Sequence, residues 1–238
     1  MPFSSVDTGI TFEPMPMPMP MPMRRIASIL SFGLLACAML LTCEAAEARQ
    51  WKFQVTLDGK PIGQHLFTVT QDGAQTVVAS AADYQVKMLG LPVYHYMHRS
   101  DEDWARGCLS RIEAHTDDNG KASQVSGEAS GTDFSWEARV GTSAPTDAHA
   151  PCVMTFAYWN PAIADRHALL DPETGKLVPV QVSALPATQI DVHGEPKSAR
   201  GLRIVGLEHG IDVWYVGDEW VGLDSTVAGG RALRYRLP

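Results

Sequence analysis

The sequence predicts a mainly β protein, an antiparallel meander that forms a barrel, half-barrel or sandwich with one short helix near residues 161–170. Three observations lead to this fold class. Apolar and polar residues alternate through most of the chain after residue 49, turn pairs such as Asn119-Gly120 separate the alternating stretches, and a single stretch carries helix signals. Strands joined by short turns pair as antiparallel neighbours, so these stretches form a meander.

The N-terminus is expected to lie outside this fold. Residues 1–22 contain a Met-Pro repeat, in which proline removes backbone donors and which cannot build a packed core by itself. We therefore predict a disordered extension there, produced by a start codon assigned upstream of Met23.

Residues 23–48 have the pattern of a secretory signal peptide. Arg24-Arg25 precede an apolar run too short for a bilayer-spanning helix, and Ala46-Glu47-Ala48 offers a small-residue cleavage site. Cleavage after Ala48 leaves residues 49–238 as a single β-rich domain without a membrane span, in the periplasm or outside the cell. Cleavage at a lipidated Cys37 is the alternative.

Alternation of apolar residues predicts the strands in chain order. Trp51, Phe53, Val55 and Leu57 occupy every second position ahead of Asp58-Gly59, as in a strand with one buried face that enters a tight turn. The same reasoning predicts strands around residues 65–69, 76–88, 94–98, 108–116, 132–140, 177–182, 190–193, 202–207, 211–216, 220–226 and 232–237.

The single helix is predicted from Pro161 to Leu170. Asn160 can cap its first amides, Pro161 suits the first helical position, and Asp171-Pro172 ends the segment.

Charge and motifs exclude several classes of function. The chain has 19 Lys and Arg against 27 Asp and Glu, for a formal net charge of −8, and its basic residues are scattered, so nucleic acid is not an expected partner. The sequence contains no Gly-x-Ser-x-Gly elbow, phosphate-binding loop or dinucleotide-binding fingerprint. We predict no cofactor.

Two cysteines, Cys108 and Cys152, remain after signal cleavage. In an oxidising compartment they are expected to form a disulfide. The alternative makes Cys152 a nucleophile with His98 or His149 as its base.

One predicted strand carries a polar and aromatic face. Period-two alternation places Tyr94, Tyr96 and His98 together, which suits the wall of a ligand pocket. His98 with Glu102, His65 or Asp101 offers metal-ligating groups, but no His-Glu-x-x-His or Cys-x-x-Cys spacing accompanies them, and no metal site is predicted.

A second candidate segment precedes the helix. Tyr158 and Trp159 either pack in the core or face a cavity, where Asn160 would supply directed hydrogen bonds to a ligand.

Several motifs together resemble a known group of proteins. They are Trp51-x-Phe53-x-Val55-x-Leu57-Asp58-Gly59-x-x-Ile62-Gly63, Cys108-Leu109, Cys152-x-Met154-Thr155-Phe156-Ala157-Tyr158-Trp159-Asn160-Pro161, Trp214-Tyr215, Trp220 and Arg234-Tyr235-Arg236-Leu237. The chain resembles an uncharacterised family of bacterial secreted proteins of unknown function, which implies export and a single domain. The meander with one helix is more distantly similar to lipoprotein-carrier and lipocalin-like half-barrels, a likeness of fold alone.

Three functions follow from these observations. The first is non-enzymatic binding of an apolar or amphipathic, lipid-like ligand. The second is an enzyme of unrecognised class that uses His98 with a nearby carboxylate such as Glu102. The third is a structural or assembly factor of the envelope that acts through its sheet edges. An internal cavity favours the first function and a filled interior favours the third.

Overall fold

The computed structural model describes residues 47–206 and 209–238, in which almost all regular structure is β-strand. The strands are β1 (Glu47–Leu57), β2 (Lys60–Asp72), β3 (Gln75–Met88), β4 (Leu91–Ala105), β5 (Cys108–Asp118), β6 (Lys121–Ser130), β7 (Asp133–Val140), β8 (Thr146–Pro151), β9 (Ala168–Leu170), β10 (Leu177–Pro179), β11 (Gln181–Val192), β12 (Glu195–Val205), β13 (Ile211–Val216), β14 (Glu219–Val227) and β15 (Arg231–Arg236).

The predictions for the N-terminus fall almost wholly outside the described residues. The predicted extension, residues 1–22, lies outside them, as does the predicted signal peptide, residues 23–48, except for Glu47 and Ala48 at the start of β1.

Within the described residues, thirteen strands form one antiparallel sheet. Its order is β11-β12-β13-β14-β15-β1-β2-β3-β4-β5-β6-β7-β8, and β9 and β10 form a separate pair. The C-terminal strands join the N-terminal ones where β15 pairs with β1, with Val55 opposite Tyr235. The sheet is not closed, because β8 and β11 stand at its two edges. The predicted mainly β meander is thus confirmed.

Residues 152–180, here called the inner segment, lead from one edge of the sheet to the other and fill its concave side. Met154, Ile163 and Leu169 in this segment are fully or almost fully buried. Trp136 of β7 donates a hydrogen bond to the Gly175 carbonyl of the segment, and Tyr215 of β13 donates one to the Tyr158 carbonyl. Strands so far apart in the sheet order can contact one segment only if the sheet curls around it.

Gly175 lets the inner segment approach the sheet closely. Its φ is +68°, a left-handed value, and a Cβ at this position would lie 2.2 Å from the Ala138 Cβ of β7. A larger residue would therefore push the segment off the sheet.

Local sequence explains how the strands begin and end. Trp51, Phe53, Val55 and Leu57 of β1 are all buried on the concave face, as the alternation predicts. Asn119 and Gly120 both have positive φ in the turn between β5 and β6, the conformation that this pair favours.

The predicted helix is confirmed but is shorter than expected. It is a 3-10 helix over Pro161–Asp165, and the Asn160 side chain accepts a 3.0 Å hydrogen bond from the Ala162 amide at its start. Ala168–Leu170 are strand β9 instead of helix, because they pair with Leu177–Pro179 and bury Leu169 and Leu170 in the core. Neither short helix of the described residues has the length and apolarity needed to cross a membrane.

The inner segment is tied to the sheet by a disulfide. Cys108 at the start of β5 and Cys152 at the start of the segment are bonded, with their Cα atoms 4.8 Å apart. The Leu109 amide also donates a 2.8 Å hydrogen bond to the Val153 carbonyl. The predicted pairing is present, and a bonded Cys152 has no free thiol to act as the nucleophile of the alternative prediction.

Candidate functional site

One part of the interior is filled with aromatic rings. We call Trp51, Phe53, Phe67 and Trp220 the packed layer. The Trp220 ring centroid lies 4.4 Å from that of Phe53, 4.9 Å from that of Phe67 and 6.4 Å from that of Trp51. These distances are those of favourable tilted and edge-to-face ring pairs, so this layer is core.

Beside the packed layer, other strands of the same sheet line a cavity of about 230 Å³, here called the inner cavity. It is lined mainly by polar and aromatic side chains, which come from β2, β3, β4, β13, β15 and the inner segment. They are His65, Phe67, Val78, Ser80, Tyr84, Tyr96, His98, Ser100, Glu102, Thr155, Phe156, Ala157, Tyr158, Trp159, Asp171, Pro172, Glu173, Ile211 and Tyr235.

A chain of hydrogen bonds crosses one wall of the inner cavity. The His65 Nε2 atom lies 2.7 Å from the Ser80 hydroxyl, and its Nδ1 atom lies 3.1 Å from the Tyr84 hydroxyl. The Tyr84 hydroxyl in turn lies 2.5 Å from that of Tyr235. Loss of hydration lowers the pKa of His65 to about 3, so this imidazole is neutral at pH 7.

His98 presents one unpaired nitrogen to the inner cavity. The residue is 5% exposed, and its Nδ1 atom lies 2.8 Å from the Thr116 hydroxyl. Its Nε2 atom has no hydrogen-bond partner within the described part of the chain, where every fully buried side-chain nitrogen or oxygen is paired. Nε2 must therefore be accessible, and the space next to it is the cavity. Loss of hydration lowers the pKa of His98 to about 4, against a smaller upward effect from Asp171.

Glu173 reaches the inner cavity from a turn that Asp171 stabilises. The Asp171 carboxylate accepts hydrogen bonds from the Glu173 amide at 2.9 Å and from the Thr174 hydroxyl at 2.6 Å, so both of its oxygens serve the turn. Tyr96 donates a short hydrogen bond to one oxygen of Glu173. Burial raises the pKa of Glu173, while the Tyr96 hydrogen bond lowers it. Its second oxygen accepts no hydrogen bond from the residues that the structure describes.

Glu102 is fully engaged by neighbouring donors. Trp104 donates a 2.9 Å hydrogen bond to it, and Ser100 and Thr155 each donate one of 3.2 Å. Burial raises the pKa of Glu102 to about 7, in spite of these donors. His98 is bound to Thr116 instead, so the pair that the enzyme alternative requires is not formed by a hydrogen bond.

The inner cavity adjoins a larger pocket of about 620 Å³ at one end of the curled sheet, here called the mouth. The two spaces share Tyr84, Tyr96, Glu173 and Tyr235. The rest of the mouth is mostly apolar and includes Leu57, Ile62, Val86, Val93, Val227, Ala228 and Leu233, together with Tyr94, Asp118 and Arg231.

Exposed apolar side chains continue outward from the mouth. Leu89 at the tip of the β3–β4 hairpin is 100% exposed, and Met88, Leu91 and Val93 beside it are also exposed. Four exposed apolar side chains therefore lie together on this hairpin, one of them, Val93, within the mouth.

The structure brings most of the predicted site residues together. Tyr96, His98, Tyr158 and Trp159 line the inner cavity. Tyr94 lies in the mouth, where its hydroxyl donates a 2.7 Å hydrogen bond to Asp118.

Asn160 is placed elsewhere. Besides capping the 3-10 helix, it lines a separate recess with Trp51, Trp104 and Trp159. Its role as a helix cap explains its position, because the side chain must point back along the helix axis.

Sequence reasoning did not single out Tyr84, Asp171, Glu173 or Tyr235 as site residues. Alternation on β3 does place Tyr84 on the concave face. Alternation of Leu233, Tyr235 and Leu237 likewise places these side chains on one face of their strand. For Glu173 there is no such signal, because its placement depends on long-range packing. Within residues 47–206 and 209–238, no group of three or more His, Cys, Asp or Glu side chains is placed to hold a metal ion.

Comparison with known proteins identifies a family but no activity. Residues 53–238 match a family described as Domain of unknown function (DUF6134). No curated protein matches the chain significantly. A similar solved structure is the beta-barrel-like protein of domain of unknown function DUF1849 from Brucella abortus, with a TM-score of 0.56, 10% identity, and coverage of 79% of this chain and 94% of that one. At that identity the likeness concerns the fold, and it confirms the predicted barrel-like form.

Proposed function

We propose a ligand-binding function for this chain, which belongs to the family of domains of unknown function DUF6134. The ligand is an apolar or amphipathic, lipid-like molecule whose tail lies in the mouth and whose polar end enters the inner cavity. One observation carries the proposal: a mouth lined largely by aliphatic side chains and an inner cavity lined by histidine, carboxyl and hydroxyl groups among aromatic rings share four lining residues, so a single elongated molecule can contact both.

The dimensions and chemistry of the two spaces support this assignment. The mouth has about 620 Å³ and the inner cavity about 230 Å³, sizes that suit a small lipid-like molecule. Apolar surface with a few directed polar groups is the usual composition of a ligand pocket. The alternative of an envelope assembly factor, favoured by a filled interior, gains no support from an interior that contains a cavity.

The proposed location is the periplasm or the cell exterior. The disulfide between Cys108 and Cys152 supports it, because such bonds persist in oxidising compartments and are rare in the reducing cytosol.

Displacement of the fluorescent apolar probe 1-N-phenylnaphthylamine by decanol tests the proposal. The full chain is expressed in a Gram-negative host and purified as that host processes it. We expect the probe to bind and decanol to displace it. If neither binds the wild-type protein, the proposed function is wrong.

A matched pair of substitutions places the probe in the mouth. Val93 in the mouth is 48% exposed and Val205 outside it is 47% exposed. Val93→Arg puts a charge where the tail would lie and should weaken probe binding at least about tenfold, the effect of a loss of about 1.4 kcal/mol. Val205→Arg adds the same charge to an equally exposed position and should leave binding unchanged. Equal affinity of the two variants would contradict a site in the mouth.

A further inference from the structure

We infer that the polar end of the ligand is a cation, and specifically a primary ammonium group held by Glu173, Tyr158 and His98. This inference rests on the proposed function and adds the chemical class of the ligand. It starts from the charges around the inner cavity. Among the described residues that line it, none is Lys or Arg, whereas Glu102, Asp171 and Glu173 contribute carboxyl groups.

Of these three carboxyl groups, Glu173 is the one available to a ligand. Asp171 uses both oxygens within its turn, and Glu102 accepts from three donors. Glu173 accepts only from Tyr96 through one oxygen. Burial raises the pKa of the Glu173 carboxyl, because its charge has lost water without gaining a counter-ion from the chain. A cationic ligand would supply that counter-ion.

Two further groups in the cavity are also without partners. The Nε2 atom of His98, a residue 5% exposed, is unpaired and accessible to the cavity. The Tyr158 hydroxyl has no hydrogen-bond partner among the residues that the structure describes, so by the same reasoning it faces the cavity. When the Nδ1 atom of His98 carries the proton and donates to Thr116, Nε2 is an acceptor.

The number and type of these groups match an ammonium group. A primary ammonium has three donors and no acceptor, and the cavity offers three unpaired acceptors in Glu173, Tyr158 and His98. Aromatic rings complete the surroundings. The Tyr84 and Tyr96 rings are stacked with centroids 5.2 Å apart, and Tyr158 and Trp159 line the same cavity. The faces of such rings attract cations. An anionic head would instead meet carboxyl groups, with no Lys or Arg beside it and with two histidines that are neutral at pH 7.

Amphiphiles with the same tail and different heads test the inference. Decylamine, decanol, decanoate and decyltrimethylammonium are titrated against the wild-type protein by displacement of 1-N-phenylnaphthylamine at pH 7. We expect decylamine to bind at least about tenfold more tightly than each of the other three, because a charge-assisted hydrogen bond contributes roughly that factor. Equal binding of decylamine and decanol overturns the inference and leaves the proposed function intact. If decyltrimethylammonium binds as tightly as decylamine, the assignment of the head group as a primary ammonium is wrong. If none of the four binds, the proposed function is wrong as well.

A substitution at Glu173 tests whether this residue causes the preference for decylamine over decanol. Glu173→Gln keeps the shape and removes the charge, so it should weaken decylamine binding at least about tenfold and leave decanol unchanged. Glu128→Gln removes an exposed carboxylate far along the sheet and should change neither. An unchanged preference for decylamine in Glu173→Gln overturns the inference.

Tyr158→Phe provides a second variant in case Glu173→Gln does not fold. It removes a hydroxyl that has no partner among the described residues, so the protein should fold normally. Decylamine binding should fall several-fold while decanol binding is retained. Loss of both to the same extent would show that the hydroxyl is not a head-group contact.

Discussion

The packed layer and the inner cavity belong to the same sheet and meet on β2, yet they contribute to stability in different ways. On β2, Phe67 belongs to the packed layer, and His65, two residues earlier, begins the hydrogen-bond chain of the cavity. On β4, Trp104 is packed deep in the core and His98 borders the cavity. Both positions in each pair face inward because side chains alternate along a strand. Burial therefore follows from the backbone, while the residue type decides whether the interior is core or site.

The two regions also differ in energetic terms. Rings of the packed layer stabilise the fold in proportion to the apolar surface that they bury. The cavity instead removes water from His65, His98 and Glu102 and lowers the stability of their charged forms. Proteins commonly keep such destabilising groups at positions that serve a function. Four groups of substitutions test this contrast.

The largest effect is expected in the packed layer. Trp220→Ala should lower the free energy of unfolding by about 3–5 kcal/mol, because Trp220 is fully buried and contacts three other rings of the layer. Urea denaturation measures the change. Trp220→Phe keeps an aromatic ring and should lose clearly less. A loss below about 1 kcal/mol for the alanine variant would mean that the layer is not core.

The disulfide connects both regions, because the inner segment that it anchors packs in the core and also carries Tyr158 and Glu173. Its sequence separation is 44 residues. Cys108→Ser and Cys152→Ser should each lower stability by about 2–4 kcal/mol, since either removes the same constraint on the unfolded chain. The two losses and that of the double variant should agree. A readily alkylated Cys152 in the purified native protein would contradict the bond.

Acid should act on the cavity rather than on the packed layer. The pKa of His98 is lowered to about 4 and that of His65 to about 3 from an ordinary 6.5, so both bind protons more weakly in the folded than in the unfolded chain. Stability should therefore be fully present above pH 6.5 and fall as the pH drops towards 4, by up to about 1 kcal/mol per pH unit for each histidine.

Unfolding of His98→Asn, measured between pH 4.5 and 7, checks this. The Asn amide can keep the contact with Thr116 and does not titrate. The free energy of unfolding of this variant should therefore fall less steeply with decreasing pH than that of the wild type. The same substitution at exposed His115 controls for loss of a surface imidazole. An unchanged slope in His98→Asn would show that His98 does not contribute to acid sensitivity.

Ionisation of Glu102 should have a smaller effect on stability, and one that changes with pH in the direction opposite to that of the histidines. Its pKa is raised from 4.5 to about 7 by burial, so the folded chain binds this proton more tightly than the unfolded one. The stabilisation is fully present below pH 4.5 and is lost as the pH rises through 7. Glu102→Gln cannot ionise and should be more stable than wild type at pH 8 by about 1–2 kcal/mol, with no gain at pH 5. Thermal unfolding at the two pH values measures the difference. A Glu102→Gln variant less stable than wild type at pH 8 would show that the hydrogen bonds from its three donors require an ionised carboxylate.

Sequence patterns predicted the layout of the sheet well because they are local. Alternation over residues 51–57 identified the buried face of β1, and the cap at Asn160 marked the start of the 3-10 helix. The two cysteines left after the predicted cleavage identified the disulfide. Ala168–Leu170 were assigned to the helix because three apolar residues after a helix start carry no signal for a strand whose partner follows a turn.

The site was only partly predictable because its members meet through tertiary structure. Tyr96 and His98 were found from their strand, and Tyr158 and Trp159 from their segment. Tyr84 and Tyr235 form a hydrogen bond across 151 residues of sequence. The direction of Glu173 into the cavity depends on the Asp171 turn and on the course of the inner segment inside the sheet. No pattern within a strand or turn contains that information.

Pairing between β1 and β15 has a consequence for the order of events during synthesis. β1 borders β15, whose residues 231–236 are synthesised long after those of β1. Until then the early hairpins have no Trp220 to cover their apolar face, and β1 keeps one edge open. Long-range pairings of this kind make folding slow and leave unpaired strands prone to aggregation. The interior can therefore assemble only after β14 and β15 have been made, and β1 stays unpaired on that side in the meantime.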